Sequence, residues 1–125
     1  MNLLLDTHVF LWWCEDNPQL GVLGREAIAD RRNTIYLSAA SVWEIAIKEA
    51  LRKLQLPEPV EEAVVGNGFL ALPIDFRHAR IAGALPLHHR DPFDRMLVAQ
   101  TQAEGLVLMT RDELIRPYKV NILWV

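Results

Sequence analysis

What this 125-residue chain has little of narrows its class first. A single cysteine, Cys14, excludes an internal disulfide and any cysteine-built zinc site. No run of apolar residues is long enough for a transmembrane helix. The opening stretch MNLLLDTHVFLWWCEDNP is apolar, but it has no basic region and meets Asp6 early, so it does not read as a secretory signal. A cytoplasmic protein is the expectation. Positive charge is not in excess: the formal net charge is −3 and the pI about 5.8. That excludes binding nucleic acid by bulk charge and leaves a local basic patch or a metal as the means. Repeats, low-complexity tracts and linkers are also missing. Half of the residues are hydrophobic (51%), enough for one core, and the length fits a single domain over 1–125.

Apolar runs and turn letters alternate along the chain. NLLLD (2–6) reads as a fully buried strand ending in an acid, and THVFLWWC as a short helix after it. Asn17-Pro18 opens a helix through QLGVLGREAIADR, with Leu20, Leu23, Ala27 and Ile28 on one face. TIYL (34–37) is a second strand. The longest helix is expected over 38–54, entered through serines and broken by QLPEP. A short helix in VEEAVVGNG ends at Gly66–Gly68, and FLALPI (69–74) is a third strand. Asp75 caps a helix in DFRHARIAGAL, and a further helix runs from Asp91 to Gly105. LVLMT (106–110) and VNILWV (120–125) complete the strands. The order predicts an α/β domain: a mostly parallel sheet of four to five strands flanked by helices.

This order places acids together. Asp6 ends the first strand, Asp112 follows the fourth, and Asp94 lies in the first turn of the 91–105 helix; Glu44 sits one turn into the helix after the second strand. All four belong at the carboxyl edge of the sheet, where ligands bind in open parallel sheets. Gathered carboxylates repel unless a cation sits among them, and oxygen ligands without cysteine suit Mg2+ or Mn2+. Each acid also has a structural reading. Asp91 and Asp94 around Pro92 fit a helix cap and its first-turn partner. Glu44 and Lys48 fit an exposed i,i+4 ion pair. Asp112 fits a turn cap. Asp6 is hardest to explain structurally, because an acid ending a buried strand is costly unless paired or functional. His88 and His89, before the cap, offer metal ligands or a general base, but paired histidines in such a loop read first as solvated; Cys14 reads as a small buried hydrophobe. Trp12, Trp13, Trp43 and Trp124 read as core or interface, with the first pair a candidate wall for a partner groove.

LLLDTHVFLWW, SAASVWEIAIKEALRKL, LPLHHRDPFDRMLVAQTQAEGLVLMTRDE and VNILWV together, in this order, resemble a PIN domain, specifically a VapC-type toxin of a bacterial toxin–antitoxin pair. The resemblance covers essentially the whole chain. It implies a metal-dependent endoribonuclease with Asp6, Glu44, Asp94 and Asp112 as the catalytic acids. Asp6 and Asp94 would hold Mg2+ or Mn2+ most directly, with Glu44 and Asp112 acting directly or through water. Thr7 and Thr110 match positions at the pocket rim, Asp91 is an auxiliary acid, and Arg95 or Arg111 would meet phosphate or pair with the acids when no metal is bound. The implied partners are an RNA substrate, tRNA among the possibilities, a VapB-type antitoxin and a second copy in a homodimer. A haloacid-dehalogenase-like phosphatase is disfavoured because position 8 is His where that chemistry wants a second Asp. A receiver-like domain lacks its acid pair and its lysine. A catalytically silent antitoxin-binding module would have lost pocket acids, and all four are present.

Overall fold

Leu3, Leu4 and Leu5 are fully buried, so the first strand is covered on both faces. The structure, a computed structural model, describes all residues from Met1 to Val125. Five strands form one sheet: β1 (Asn2–Leu5), β2 (Thr34–Ser38), β3 (Leu70–Leu72), β4 (Val107–Thr110) and β5 (Asn121–Trp124). The order is β3-β2-β1-β4-β5 and every pairing is parallel. The chain moves outward from β1 through β2 to β3, then returns to place β4 against β1, with Leu5 opposite Met109. The β1–β4 boundary is therefore the topological switch point, the usual ligand position in such sheets.

Six α-helices flank the sheet: α1 (Thr7–Cys14), α2 (Gly21–Ala29), α3 (Ala39–Ala50), α4 (Val60–Gly66), α5 (Phe76–Ala84) and α6 (Pro92–Glu104). Successive strand residues point to opposite faces. Leu3 and Leu5 pack with Phe10, Leu20, Ile45 and Phe69 on one side, while Leu4 packs with Leu97, Val98, Ile115 and Tyr118 on the other. Each fully buried leucine stabilises the fold by about 1.5–3 kcal/mol. Cys14 is half-buried against the first cluster, and burial pushes its thiol up to about 11. No helix is long and apolar enough to cross a membrane.

Short polar side chains start the helices as their letters suggest. Ser38 Oγ accepts the Ala40 N–H (3.0 Å), and Asp91 Oδ1 accepts that of Phe93 (2.8 Å). Asp75 and His78 form a reciprocal box, each side chain accepting the other's backbone N–H (2.9 and 3.1 Å). The far ring nitrogen of His78 meets Glu104 at 2.8 Å and ties α5 to the end of α6.

Two helix expectations are corrected. The helix expected over 38–54 ends at Ala50. Arg52 adopts a left-handed conformation (φ +57°), and the Arg52 and Lys53 N–H groups turn back to the Glu49 and Lys48 carbonyls (3.0 and 2.9 Å). Leu23 does not join the buried face of α2; it is exposed. Residues Pro18–Leu20 form a separate 3-10 turn, and Gly21 at φ +74° breaks the phase, so Leu20, Gly24 and Ile28 face inward instead. A Cβ at Gly24 would stand 2.6 Å from Leu20 Cδ1, which is why the smallest residue fits there.

Candidate metal centre

Asp6 directly follows β1, and its backbone N–H donates to Met109 O of β4 (2.9 Å), so the acid is fixed at the switch point. Its side chain is buried and both oxygens are engaged. Oδ1 accepts the His8 N–H (3.0 Å), capping α1, and Oδ2 accepts the Thr110 hydroxyl (2.6 Å). Asp6 thus has a structural role as well, one that spacing alone did not reveal. Thr110 is a junction: its hydroxyl oxygen also accepts the Asp112 N–H (3.0 Å). Asp112 in turn caps the 3-10 turn Glu113–Ile115 by accepting the Leu114 N–H (3.0 Å).

Asp94 enters from the other side, in the first turn of α6, with its side chain only 16% exposed. Burial pushes its carboxyl up to about 8, and Asp6, Asp91, Glu44 and Asp112 push in the same direction. Asp6, Glu44 and Asp112 are therefore each close enough to act on Asp94. Burial likewise raises Asp6, against the lowering effect of Thr110 and the His8 N–H. Glu44 on α3 is buried, with Lys48 Nζ at 3.0 Å, so the i,i+4 pair exists but its carboxylate is not the exposed one expected. Asp91 behaves as the cap, and Asp94, one turn on, points among the acids.

His89 is corrected from solvated to buried; its neighbour His88 is exposed. Tyr118 Oη accepts the His89 N–H (2.9 Å), and His89 Nδ1 accepts the Asp91 N–H (3.1 Å). With Nδ1 accepting, the ring proton resides on Nε2, which lies 2.6 Å from Asp112 Oδ2 and 3.2 Å from Asp94 Oδ2. Tyr118, far along the chain, has no local pattern that could have announced it. Thr7 and Thr110 are fully inside rather than at a rim; Thr7 Oγ1 donates to Ser41 Oγ (2.8 Å), joining α1 to α3.

The arginines are corrected as well: neither pairs with the pocket acids. Arg95 donates to the carbonyls of Ala82 (2.9 Å), Leu85 (3.1 Å), Pro86 (3.0 Å) and His89 (3.4 Å), bracing the loop before α6. Arg111 donates to the carbonyls of Val125 (2.7 Å) and Gln19 and lies over the Trp12 ring, 4.7 Å from its centroid. In both cases the acceptors are backbone carbonyls of other segments that the fold brings to the guanidinium group.

The donor set suits a hard divalent cation. Burial first, and neighbouring carboxylates after it, hold Asp94 and Asp6 above the usual carboxylate range, and oxygen is the only acidic ligand type present. Asp94 and Asp112 bring carboxylate oxygens within 4.8 Å of each other around His89, and since His89 Nε2 carries its proton the ligands on offer are those oxygens.

Comparisons with known proteins agree with this architecture. The PIN domain family model matches residues 3–120. Ribonuclease VapC22 of Mycobacterium tuberculosis is 28% identical over 121 residues, covering 94% of this chain and 92% of its own. Among solved structures, VapBC2 from Rickettsia felis, bound to a DNA fragment from its promoter, superposes with a TM-score of 0.70 at 13% identity, over 99% of this chain and 98% of that one. FitAcB from Neisseria gonorrhoeae superposes with a TM-score of 0.68 at 22% identity, over 97% and 96%.

Proposed function

The chain belongs to the PIN domain family, and from that premise we propose that it is a VapC-like ribonuclease, the toxin of a VapBC-type toxin–antitoxin pair. The observation that carries the reading is the convergence on Asp94 of Asp6 and Asp112, which follow the paired strands β1 and β4, and of Glu44 on α3, with Asp94 buried and pushed up to about 8. Such a constellation calls for a cation. The similarity to Ribonuclease VapC22 along nearly the whole chain supports the activity, and the VapBC neighbours support an antitoxin as protein partner.

Asp6 and Asp94 would hold Mg2+ or Mn2+ most directly, and Glu44 and Asp112 would act directly or through water. Such an ion supplies two things to a phosphodiester: a water with a lowered pKa and neutralisation of charge developing on phosphate. The chain's own groups do the positioning. Thr110 fixes the Asp6 carboxylate through Oδ2 and the Asp112 backbone through its N–H. Lys48 orients Glu44, and His89 holds Asp112 and Asp94 from the α6 side. The buried surroundings of Asp6 keep bulk water from screening the acids.

RNA is the proposed substrate, with tRNA a member of the class to test, and one domain over 1–125 in the cytoplasm is the proposed organisation. A homodimer is proposed through the exposed apolar side chains Trp43 and Ile47 of α3 and Leu51 just past its end. Sequencing of RNA ends after induced expression, with Asp6→Asn as control, tests the activity. Discrete new ends with the wild type and none with the control are expected. Identical ends in both, insensitive to EDTA, would sink the proposal.

A further inference from the structure

A cavity of about 300 Å³ opens beside the acids, lined by Asp6, His8, Val9, Trp12, Arg111 and Asp112. Its two ends differ in chemistry. Asp6 and Asp112 make one end anionic, while the other is built from Trp12, His8 and Arg111. The Arg111 guanidinium lies over the indole, 4.7 Å from the ring centroid, and the His8 ring stands 6.1 Å away, tilted by 39°. The guanidinium is held rather than free: Nε donates to Val125 O at 2.7 Å and one Nη to Gln19 O. The other Nη, Nη1, donates to no protein acceptor. Planar faces and a cation form a wall immediately beside the carboxylates.

That combination is poorly explained by packing. Arg111 and Trp12 come from opposite ends of the chain, and the Arg111 charge is not spent on the acids beside it. Unpaired nucleic-acid bases are recognised by stacking on aromatic side chains and guanidinium planes. A base lodged against such a wall would leave its adjoining phosphate at the acid end. The volume lies at the small end of the range for ligand sites, which suits one nucleotide unit and not a duplex.

We propose that this cavity is the subsite for the unpaired nucleobase next to the scissile phosphate, stacked on the wall formed by Trp12 and Arg111. It deepens the ribonuclease reading above and rests on it. Trp12 and Arg111 are then positioning residues: they hold the nucleotide in register with the acids and take no part in the chemistry.

The test measures binding of fluorescently labelled octamers by anisotropy in Mg2+, using the full chain with Asp94→Asn so that the RNA stays intact. The probes are rA8, rU8 and an octamer with the same ribose-phosphate backbone and no bases. Trp12 also packs on the core, so Trp12→Leu, which keeps apolar bulk, is compared with Trp12→Phe, which keeps a ring. Trp12→Leu is expected to weaken binding of rA8 roughly 5- to 150-fold, the range for loss of one stacked base. It is expected to leave the baseless octamer unchanged, and Trp12→Phe to retain most of the affinity. Equal weakening on all three probes, or none on any, overturns the subsite. Unchanged RNA binding with altered sedimentation would assign the wall to a second copy and also overturn it. Separately, the chain with Asp94 intact is tested for RNA cleavage in Mg2+ and in Mn2+. If it cleaves while Trp12→Leu has no effect, the subsite alone fails; if it cleaves nothing, the ribonuclease reading fails and takes the subsite with it.

Discussion

At the scale of single residues, Thr110 connects two acids that the chain itself keeps far apart. Its hydroxyl donates to Asp6 and accepts from the Asp112 backbone. Thr110→Val keeps the shape and removes both bonds. Divalent-ion affinity, read by calorimetric titration, is expected to fall roughly 10- to 100-fold, the usual cost of losing a group that orients a ligand. Unchanged affinity would show that Asp6 needs no such brace. Asp94→Asn removes a candidate ligand charge, and RNA cleavage is expected to fall by roughly a hundredfold or more. The four acids were legible in the sequence because strand ends and first helical turns are marked by local letters. Thr110 was expected at the site, though not as a buried bridge. His89 was misplaced as solvated because its burial depends on Tyr118, which reaches it only in the folded chain. The expected pairing of the arginines with the acids failed for a related reason: adjacency to an aspartate says nothing about the carbonyls a guanidinium will meet in three dimensions.

At the scale of elements, α6 has its charge divided between capping and the pocket. Asp91→Ala removes the side-chain acceptor for the Phe93 N–H and is expected to cost about 1 kcal/mol of stability, read as a lower thermal midpoint. Cleavage should fall far less than with Asp94→Asn; an equal fall would give Asp91 a share in the pocket chemistry. At the end of α3, Arg52 occupies a left-handed conformation that glycine adopts without a Cβ clash. Arg52→Gly is expected to raise stability by about 0.5–1 kcal/mol, the relief of that clash less the extra chain entropy of glycine. A lower thermal midpoint would contradict this account. The strands, their order of appearance and the caps at Ser38, Asp75 and Asp91 were all readable, since apolar runs and capping letters are local signals. The end of α3 was not, because an arginine in the left-handed region leaves no mark in composition. The face of α2 was misread because Gly21 interrupts the periodicity from which Leu23 had been placed.

For the whole molecule, the buried acids tie stability to pH. Asp94 is pushed up to about 8 from an ordinary 3.8, and Asp6 is raised too. Between these values the folded chain keeps protons that the unfolded chain has released. The contribution is therefore fully present below about pH 4 and lost as pH rises through about 8. Thermal midpoints in EDTA are expected to fall across that window, and Asp94→Asn to flatten the decline. Mg2+ or Mn2+ should reverse it most strongly at the alkaline end, by about 2.7 kcal/mol at a hundredfold excess over Kd. A midpoint indifferent to both ions at pH 8 would argue against a cation among the acids. The parallel pairing of β1 with β4 also sets a timetable. Asp6 is made 104 residues before its partner Thr110, which lies on the strand that anchors it, β4. A nascent chain short of these residues has no assembled pocket, so any activity seated there has to wait until β4 has been made and has paired.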